Sequence, residues 1–444
     1  MNASNPHAST PTWVSRTVAS TAREVQVQRY RIEVVSGPDS GQVTTADADE
    51  LGVGTAPTNH LVLTDPSVSR HHLTIAATAD GFQLRDLSSS SGTLLAGYRV
   101  EVAYIDSGAL IQAGDTTLRF DALDESLARP LSERDSFGEV LGVSTAMRRL
   151  FAALEQAAAG DATILIDGES GTGKSALAEA IHRHSGRASG PFVVVDCGAI
   201  APSSIESELF GHEPGAVAGA DEGRTGAFGV ADGGTLFLDE VGELGPELQG
   251  KLARVLESRQ VRRIGSVTPV PVDVRVIAAS KRDLRPEVNA GTFHAELYHQ
   301  LSGVRATVPP LRDRREDIPL LVAHFMRQIA GNGASEPLPE LVASLARQAW
   351  PGNVRELRSA VERAALDQSA EDAARNESWP ELDFNISFRE SKEGALAVWT
   401  RVYVRELVDR YGGNLSRAAR AVSMDRNHLR DLLHKYAMNS SNQQ

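Results

Sequence analysis

The sequence predicts a multidomain protein: a β-sandwich, then an α/β domain with a helical lid, then an all-α helix-turn-helix. Three observations predict it. Residues 28–122 hold short alternating runs, such as Arg29-Tyr30-Arg31-Ile32-Glu33-Val34, Phe82-Gln83-Leu84-Arg85 and Thr117-Leu118-Arg119-Phe120, between Gly, Asp, Ser and Pro turns; strands at that spacing stack as a sandwich. Residues 139 to about 325 alternate apolar strand runs (163–167, 192–196, 235–239, 272–279) with helical periods, the pattern of a parallel sheet with crossover helices. Residues 386–437 are helical around one short turn.

The bulk numbers bound the rest. A chain of 444 residues, 41% hydrophobic and 23% charged, has room for two to four ordinary domains. Its one cysteine, Cys197, excludes an intramolecular disulfide and a cysteine-based zinc finger, and fits a reducing cytosol. No apolar run approaches a membrane span, so no membrane partner and a cytoplasmic location are expected. The stretch 1–27 is Ser/Thr/Ala-rich without an apolar segment and reads as a disordered lead rather than a secretory signal. Net charge is −13, so contact with nucleic acid requires a local basic patch.

The first element is 28–122. Asp65-Pro66-Ser67-Val68-Ser69-Arg70-His71-His72 and Asp86-Leu87-Ser88-Ser89-Ser90-Ser91-Gly92-Thr93 resemble the forkhead-associated domain. The resemblance implies a sandwich whose loops bind a phosphothreonine protein, with Ser69 and Arg70 gripping the phosphate and His72 bracing the loops from within. The family's Gly-Arg is Gly54-Thr55 here and its Asn-Gly is Ser91-Gly92, which removes one phosphate and one peptide contact. The alternative is a sandwich used for docking within the chain. Residues 123–138 are charged and polar and read as a linker.

In the second domain, Ile164-Leu165-Ile166 leads into Gly168-Glu169-Ser170-Gly171-Thr172-Gly173-Lys174-Ser175, and a helical run follows. That strand–loop–helix setting is what a phosphate loop requires. Its glycines turn backbone N–H groups inward, Lys174 gives a point charge to the outer phosphates, and the Ser175 hydroxyl suits Mg²⁺. Leu236-Phe237-Leu238 ends in Asp239-Glu240, where Asp239 would hold the metal and Glu240 polarise the attacking water. Lys174, Asp239 and Glu240 are therefore the catalytic candidates, and ATP and Mg²⁺ the expected cofactors.

Longer motifs narrow the family. Glu208-Leu209-Phe210-Gly211-His212-Glu213, Gly233 to Glu240, Val272 to Ala279, Pro309 to Ile318 and Trp350-Pro351-Gly352-Asn353-Val354-Arg355-Glu356-Leu357 resemble the AAA+ domain of bacterial enhancer-binding proteins. The match covers about 138–368, with 338–368 as the lid. It implies an α/β AAA+ P-loop domain that assembles from dimer to hexamer, acts on sigma-54 RNA polymerase, and reads its own nucleotide through Arg355. Three departures bear on function. The family's Gly-Ala-Phe-Thr-Gly-Ala contact loop is Gly215-Ala216-Val217-Ala218-Gly219-Ala220, without the ring and the hydroxyl. The two arginines that would reach a neighbour's ATP are His294 and Gln300; an arginine there is worth orders of magnitude in rate. The Asn before Cys197 is Asp196, which as a carboxylate has no proton to donate to Glu240. Ser280-Lys281 replace Thr-Asn and keep the hydroxyl. ATP binding with slow turnover is the expectation; substitution of the lost charge by Arg305 or Arg282, giving a fully active remodeller of the polymerase, is the alternative.

A second loose stretch, 369–385, precedes the tail, 386–444. Gly413 to Ala421, the turn Val422-Ser423-Met424 and a helix from Asp425 resemble the Fis-type helix-turn-helix, with Ser423 where the family has glycine. Between 401 and 436 there are eight basic and four acidic side chains, the local patch that double-stranded DNA demands. Arg426, Asn427, His428 and Arg430 occupy the start of the second helix, where base edges are reached. The helix 388–411 would pair with its twin; a dimerisation hairpin with solvated arginines is the alternative.

Overall fold

Alternation of apolar and polar side chains builds the leading module as two facing sheets. One runs Val43–Thr45, Glu24–Ser36, Thr116–Pro130, Leu110–Ala113, Thr93–Leu95, Tyr98–Val100; the other runs Leu61–Val62, Glu50–Gly54, Leu73–Thr78, Gly81–Asp86, Val102–Ile105. Every strand pair but one is antiparallel. Between them Tyr30, Phe82 and Phe120 pack with ring centroids 4.9–5.5 Å apart. This computed structural model describes residues 23–46, 50–78, 80–217, 220–330, 339–376 and 387–437. The chain forms two compact units, Met1–Ser359 and Ala360–Gln444.

The sandwich outgrows its expected limits. Its first strand begins at Glu24, within the stretch read as a lead, and Thr116–Pro130 carries strand well into 123–138, read as a linker. Glu24 pairs with Pro130 and Val27 with Leu127, while Val25, Val27 and Leu131 form a small apolar cluster. Only one face of this ribbon is covered, so its solvent face supplies the polar residues that suggested a linker.

In the α/β domain five parallel strands run in the order Phe192–Asp196, Thr235–Asp239, Arg275–Ser280, Ile164–Asp167, Val304–Thr307. The fifth, with Arg305 in four residues, lacks the apolar run that marked the others. Strands buried on both faces explain the continuous Ile164-Leu165-Ile166 and Leu236-Phe237-Leu238. Both end on the same side of the sheet, placing Gly168 and Asp239 together. The lid follows as Ile318–Ala330, Pro339–Ala346 and Asn353–Asn376. That last helix passes through 369–376, where a loose linker was read; its Ala, Glu and Arg residues are good helix formers. The remainder of that stretch, 377–385, lies outside the described residues, as does 1–22.

The second unit contains Phe388–Arg410, Leu415–Ala421 and Arg426–Ala437, packed on Val404, Leu407, Ala418, Ala419 and Leu429. Among the described residues no helix is long and apolar enough to cross a membrane.

Candidate functional site

The loop from Gly168 closes around its own lysine. Gly171 and Gly173 have φ of +79° and +106°, a backbone region that side chains oppose. The buried Lys174 ammonium donates to the Gly168 and Glu169 carbonyls at 2.8 and 3.3 Å and lies 3.6 Å from Glu240 Oε1. Ser175 Oγ donates to Asp239 Oδ2 at 2.9 Å. Glu240, itself at φ +52°, accepts the Lys281 N–H at 3.1 Å. The sequence-predicted loop, lysine, serine and acidic pair therefore meet in one place. A hydroxyl and a carboxylate oxygen in contact are the hard donors that Mg²⁺ prefers, so the residues fit that ion.

Asp196 does not reach Glu240; its Oδ1 accepts the Gly198 and Ala199 N–H groups. Ser280 keeps its hydroxyl, but that group is buried and donates to the Arg282 carbonyl. Cys197 is buried, and burial pushes its thiol up to about 12, as expected of an inert packing residue.

Sequence reasoning missed what fastens the lid to this loop. Glu169 takes a two-pronged bond from Arg312 at 2.9 and 2.7 Å, which holds its carboxyl below the usual range. Asn353, fully buried, donates to Glu169 and to the Ser170 carbonyl and accepts the Leu311 N–H at 2.8 Å. Arg314 donates to the Thr172 carbonyl from a buried position. A Cβ on Gly171 would stand 2.3 Å from the Gly352 carbonyl, so loop and lid touch backbone to backbone. Arg355 is exposed and donates to Ser170 Oγ at 3.3 Å. The signal existed in the motifs that contain Arg312, Arg314 and Asn353; their partners did not.

The departing positions are equally definite. The contact loop turns through Gly215 N–H to the Ala220 carbonyl, with Val217 half-buried; Ala218 and Gly219 lie outside the described residues. His294 caps the start of the helix Ala295–Leu301, Gln300 lies within its last turn, and both are half-buried. Neither suggested substitute is spare. Arg282 is held by Glu243 and Glu287, and Arg305 bonds Asp167 at 2.9 and 3.2 Å and faces Glu50 at 3.5 Å.

At the sandwich edge Ser69 Oγ accepts the Ser90 N–H at 2.9 Å, and Arg70 is exposed. His72, with no exposed surface, accepts the Ser69 N–H through Nδ1 and pairs with the Gly92 carbonyl through Nε2, bracing two loops as expected. The same edge docks within the chain. Asn289 donates to the His71 and Leu87 carbonyls at 2.6 and 2.8 Å and accepts the His71 N–H at 3.1 Å. The His71 ring meets Tyr298 edge-on at 5.1 Å. Beneath this seam Arg285, almost fully buried, bridges Glu50 of the sandwich and Asp283. Burial works to raise the Glu50 carboxyl, yet Arg285 and Arg305 hold it below its ordinary value. A cleft of about 730 Å³ opens beside these residues.

In the tail, Asn414 caps one helix and Asp425 the next, accepting the Asn427 and His428 N–H groups. Arg426, Asn427, His428 and Arg430 are all exposed around the buried Leu429. Ser423 sits at φ +53°, which is why glycine suits that turn.

The family model described as the sigma-54 interaction domain matches residues 140–307, and that of the AAA+ ATPase lid domain residues 312–380. A third, for the cytoplasmic domain of an inner membrane component of T3SS, matches 33–124. The transcriptional regulatory protein ZraR of Escherichia coli K12 is 46% identical over 264 residues, 56% of this chain and 60% of that one. ZraR of Klebsiella oxytoca is 42% identical over 320 residues, 68% of this chain and 72% of that one. The crystal structure of NtrX from Brucella abortus in complex with ATP is 37% identical, covering 68% of this chain and 70% of that chain, with a TM-score of 0.48. Fold and loop thus define a AAA+ domain with its lid. The chain belongs to the bacterial enhancer-binding transcriptional regulators that carry a sigma-54 interaction domain, and spans 60% of the length of the Escherichia coli relative.

Proposed function

We propose that this chain is a cytoplasmic, ATP-binding, sequence-specific DNA-binding transcriptional regulator that binds nucleotide well, turns it over slowly and grips sigma-54 RNA polymerase weakly. One observation carries the reading. The cradle residues meet, with Ser175 2.9 Å from Asp239 and Lys174 beside Glu240, while the two arginines considered as substitutes, Arg282 and Arg305, are already bound to carboxylates.

In this reading the loop N–H groups and Lys174 bind the phosphates, Arg355 senses them from the lid, and Glu240 orients a water. Ser175 and Asp239 would hold Mg²⁺, which would supply positive charge against the phosphate oxygens. His294 and Gln300 stand where family resemblance expects cations, so charge developing in trans lacks its partner. Trimming the contact loop to Val217 and Ala218 removes the anchoring ring and hydroxyl. Ser69 and Arg70 offer a phosphothreonine protein a hydroxyl and a guanidinium, and NtrX supplies the precedent for ATP.

The test is ATP binding and steady-state turnover by the full chain at concentrations that favour assembly. Binding in the micromolar range with turnover well below one per second is expected. Installing His294→Arg with Gln300→Arg should raise turnover at least tenfold at unchanged affinity. Brisk turnover by the unaltered chain would overturn the reading in favour of a fully active remodeller.

A further inference from the structure

We infer that Glu50, contributed by the leading sandwich, is a positioning residue for the phosphate loop, acting through Arg305 and Asp167, so that seating of the sandwich and nucleotide binding are thermodynamically linked. This rests on the ATP-binding reading above and adds its regulation. The geometry forms an unbroken chain of charges. Glu50 Oε1 lies 2.6 Å from Arg285 and 3.5 Å from Arg305. Arg305 reaches Asp167 Oδ2 at 2.9 Å. Asp167 ends the strand Ile164–Asp167, and the next residue is Gly168. Arg285 also binds Asp283, three residues beyond the strand Arg275–Ser280 and two beyond Lys281, whose N–H holds Glu240.

The cluster is sensitive to the loss of any member. Arg285 and Asp167 are almost fully buried, and Asp167 Oδ1 has no hydrogen-bond partner among the described residues. Burial pushes the Asp167 carboxyl up to about 6, opposed by Arg305. Breaking one member of a buried ion network leaves an uncompensated charge and forces rearrangement. Glu50 is the only member that comes from the sandwich, and the Asn289 bonds to His71 and Leu87 hold the sandwich in place. When the sandwich lifts, one carboxylate leaves the neighbourhood of the cradle, and Arg305 turns wholly to Asp167. The field at the phosphates becomes more positive, so nucleotide binds more tightly. At a separation of roughly 10 Å through partly screened protein, one charge is worth about threefold in affinity. Linkage is reciprocal: a nucleotide that prefers the lifted state must loosen the seam.

The test uses Mg·ATP and the full chain. Calorimetry should show about threefold tighter binding for Glu50→Gln and for Asn289→Ala, and wild-type affinity for Glu50→Asp. Amide hydrogen exchange at residues 71, 72 and 289 should quicken when ATP is added, and should not in Lys174→Ala. Affinity unchanged or weaker in the variants, or a seam indifferent to saturating ATP, overturns the inference while leaving ATP binding intact. A wild-type chain that binds no ATP overturns both. Should Glu50→Gln fail to fold, Asn289→Ala, which alters no charge, carries the same test.

Discussion

His71 shows how one side chain can report on the seam. It is almost fully buried, and burial lowers its imidazole to about 4. An unfolded imidazole titrates near about 6.5. Below that pH the unfolded chain gains a proton that the folded chain refuses, so this contribution is complete above about 6.5 and lost as pH falls toward 4. It amounts to at most about 3 kcal/mol. Asp167, raised by burial to about 6, acts with the opposite sign in part of the same window, because the folded chain keeps a proton that the unfolded one releases. Total stability therefore blends the two. Chemical denaturation of wild type and His71→Gln at pH 7 and pH 5 should separate them, with a smaller acid loss in the variant. An identical loss in both would mean that the ring protonates without hindrance in the seam.

At the scale of elements, the lid stands or falls with Asn353. Its amide satisfies Glu169, the Ser170 carbonyl and the Leu311 N–H at once. Asn353→Ala takes the side-chain partner from the buried Leu311 N–H and from the Ser170 carbonyl, while Glu169 keeps Arg312, at a cost of about 1–3 kcal/mol. Thermal unfolding should fall by several degrees and ATP affinity should weaken, because the cradle loses its backing; a change confined to stability would detach the lid from nucleotide binding. Most elements were legible in the sequence, for stated reasons. Strands buried on both faces advertise themselves as apolar runs, and the glycines of the loop at 168–175 admit few other uses. Val304–Thr307 was not legible, because a four-residue strand carrying Arg305 has no such signature. Thr116–Pro130 was misread past Ala122, because a ribbon wet on one side looks like a linker. The cradle's members could be named in advance, but not the partners of Glu169, Arg305 or Glu50, since those pairs join residues 138 to 184 positions apart, or bridge separate modules, and no local pattern encodes them.

On the scale of the whole molecule, charge is divided between the parts. The chain carries −13 overall, yet its tail presents arginines at 417, 420, 426 and 430, all exposed. Binding to double-stranded DNA should therefore fall steeply with salt. Asn427→Ala and Arg430→Ala should each relax preference at one base position by about 1–3 kcal/mol. Binding to sets of altered sites would check this; equal weakening on every sequence would assign both residues to phosphate contacts instead. Leu396 and Trp399 are half exposed on the helix Phe388–Arg410. Cys197, the chain's one thiol, has a practical consequence. Buried, with its thiol pushed up to about 12, it should resist maleimides and mild oxidants. A cysteine placed anywhere on the surface would then be the sole target for a fluorophore or spin label, with the natural background left untouched.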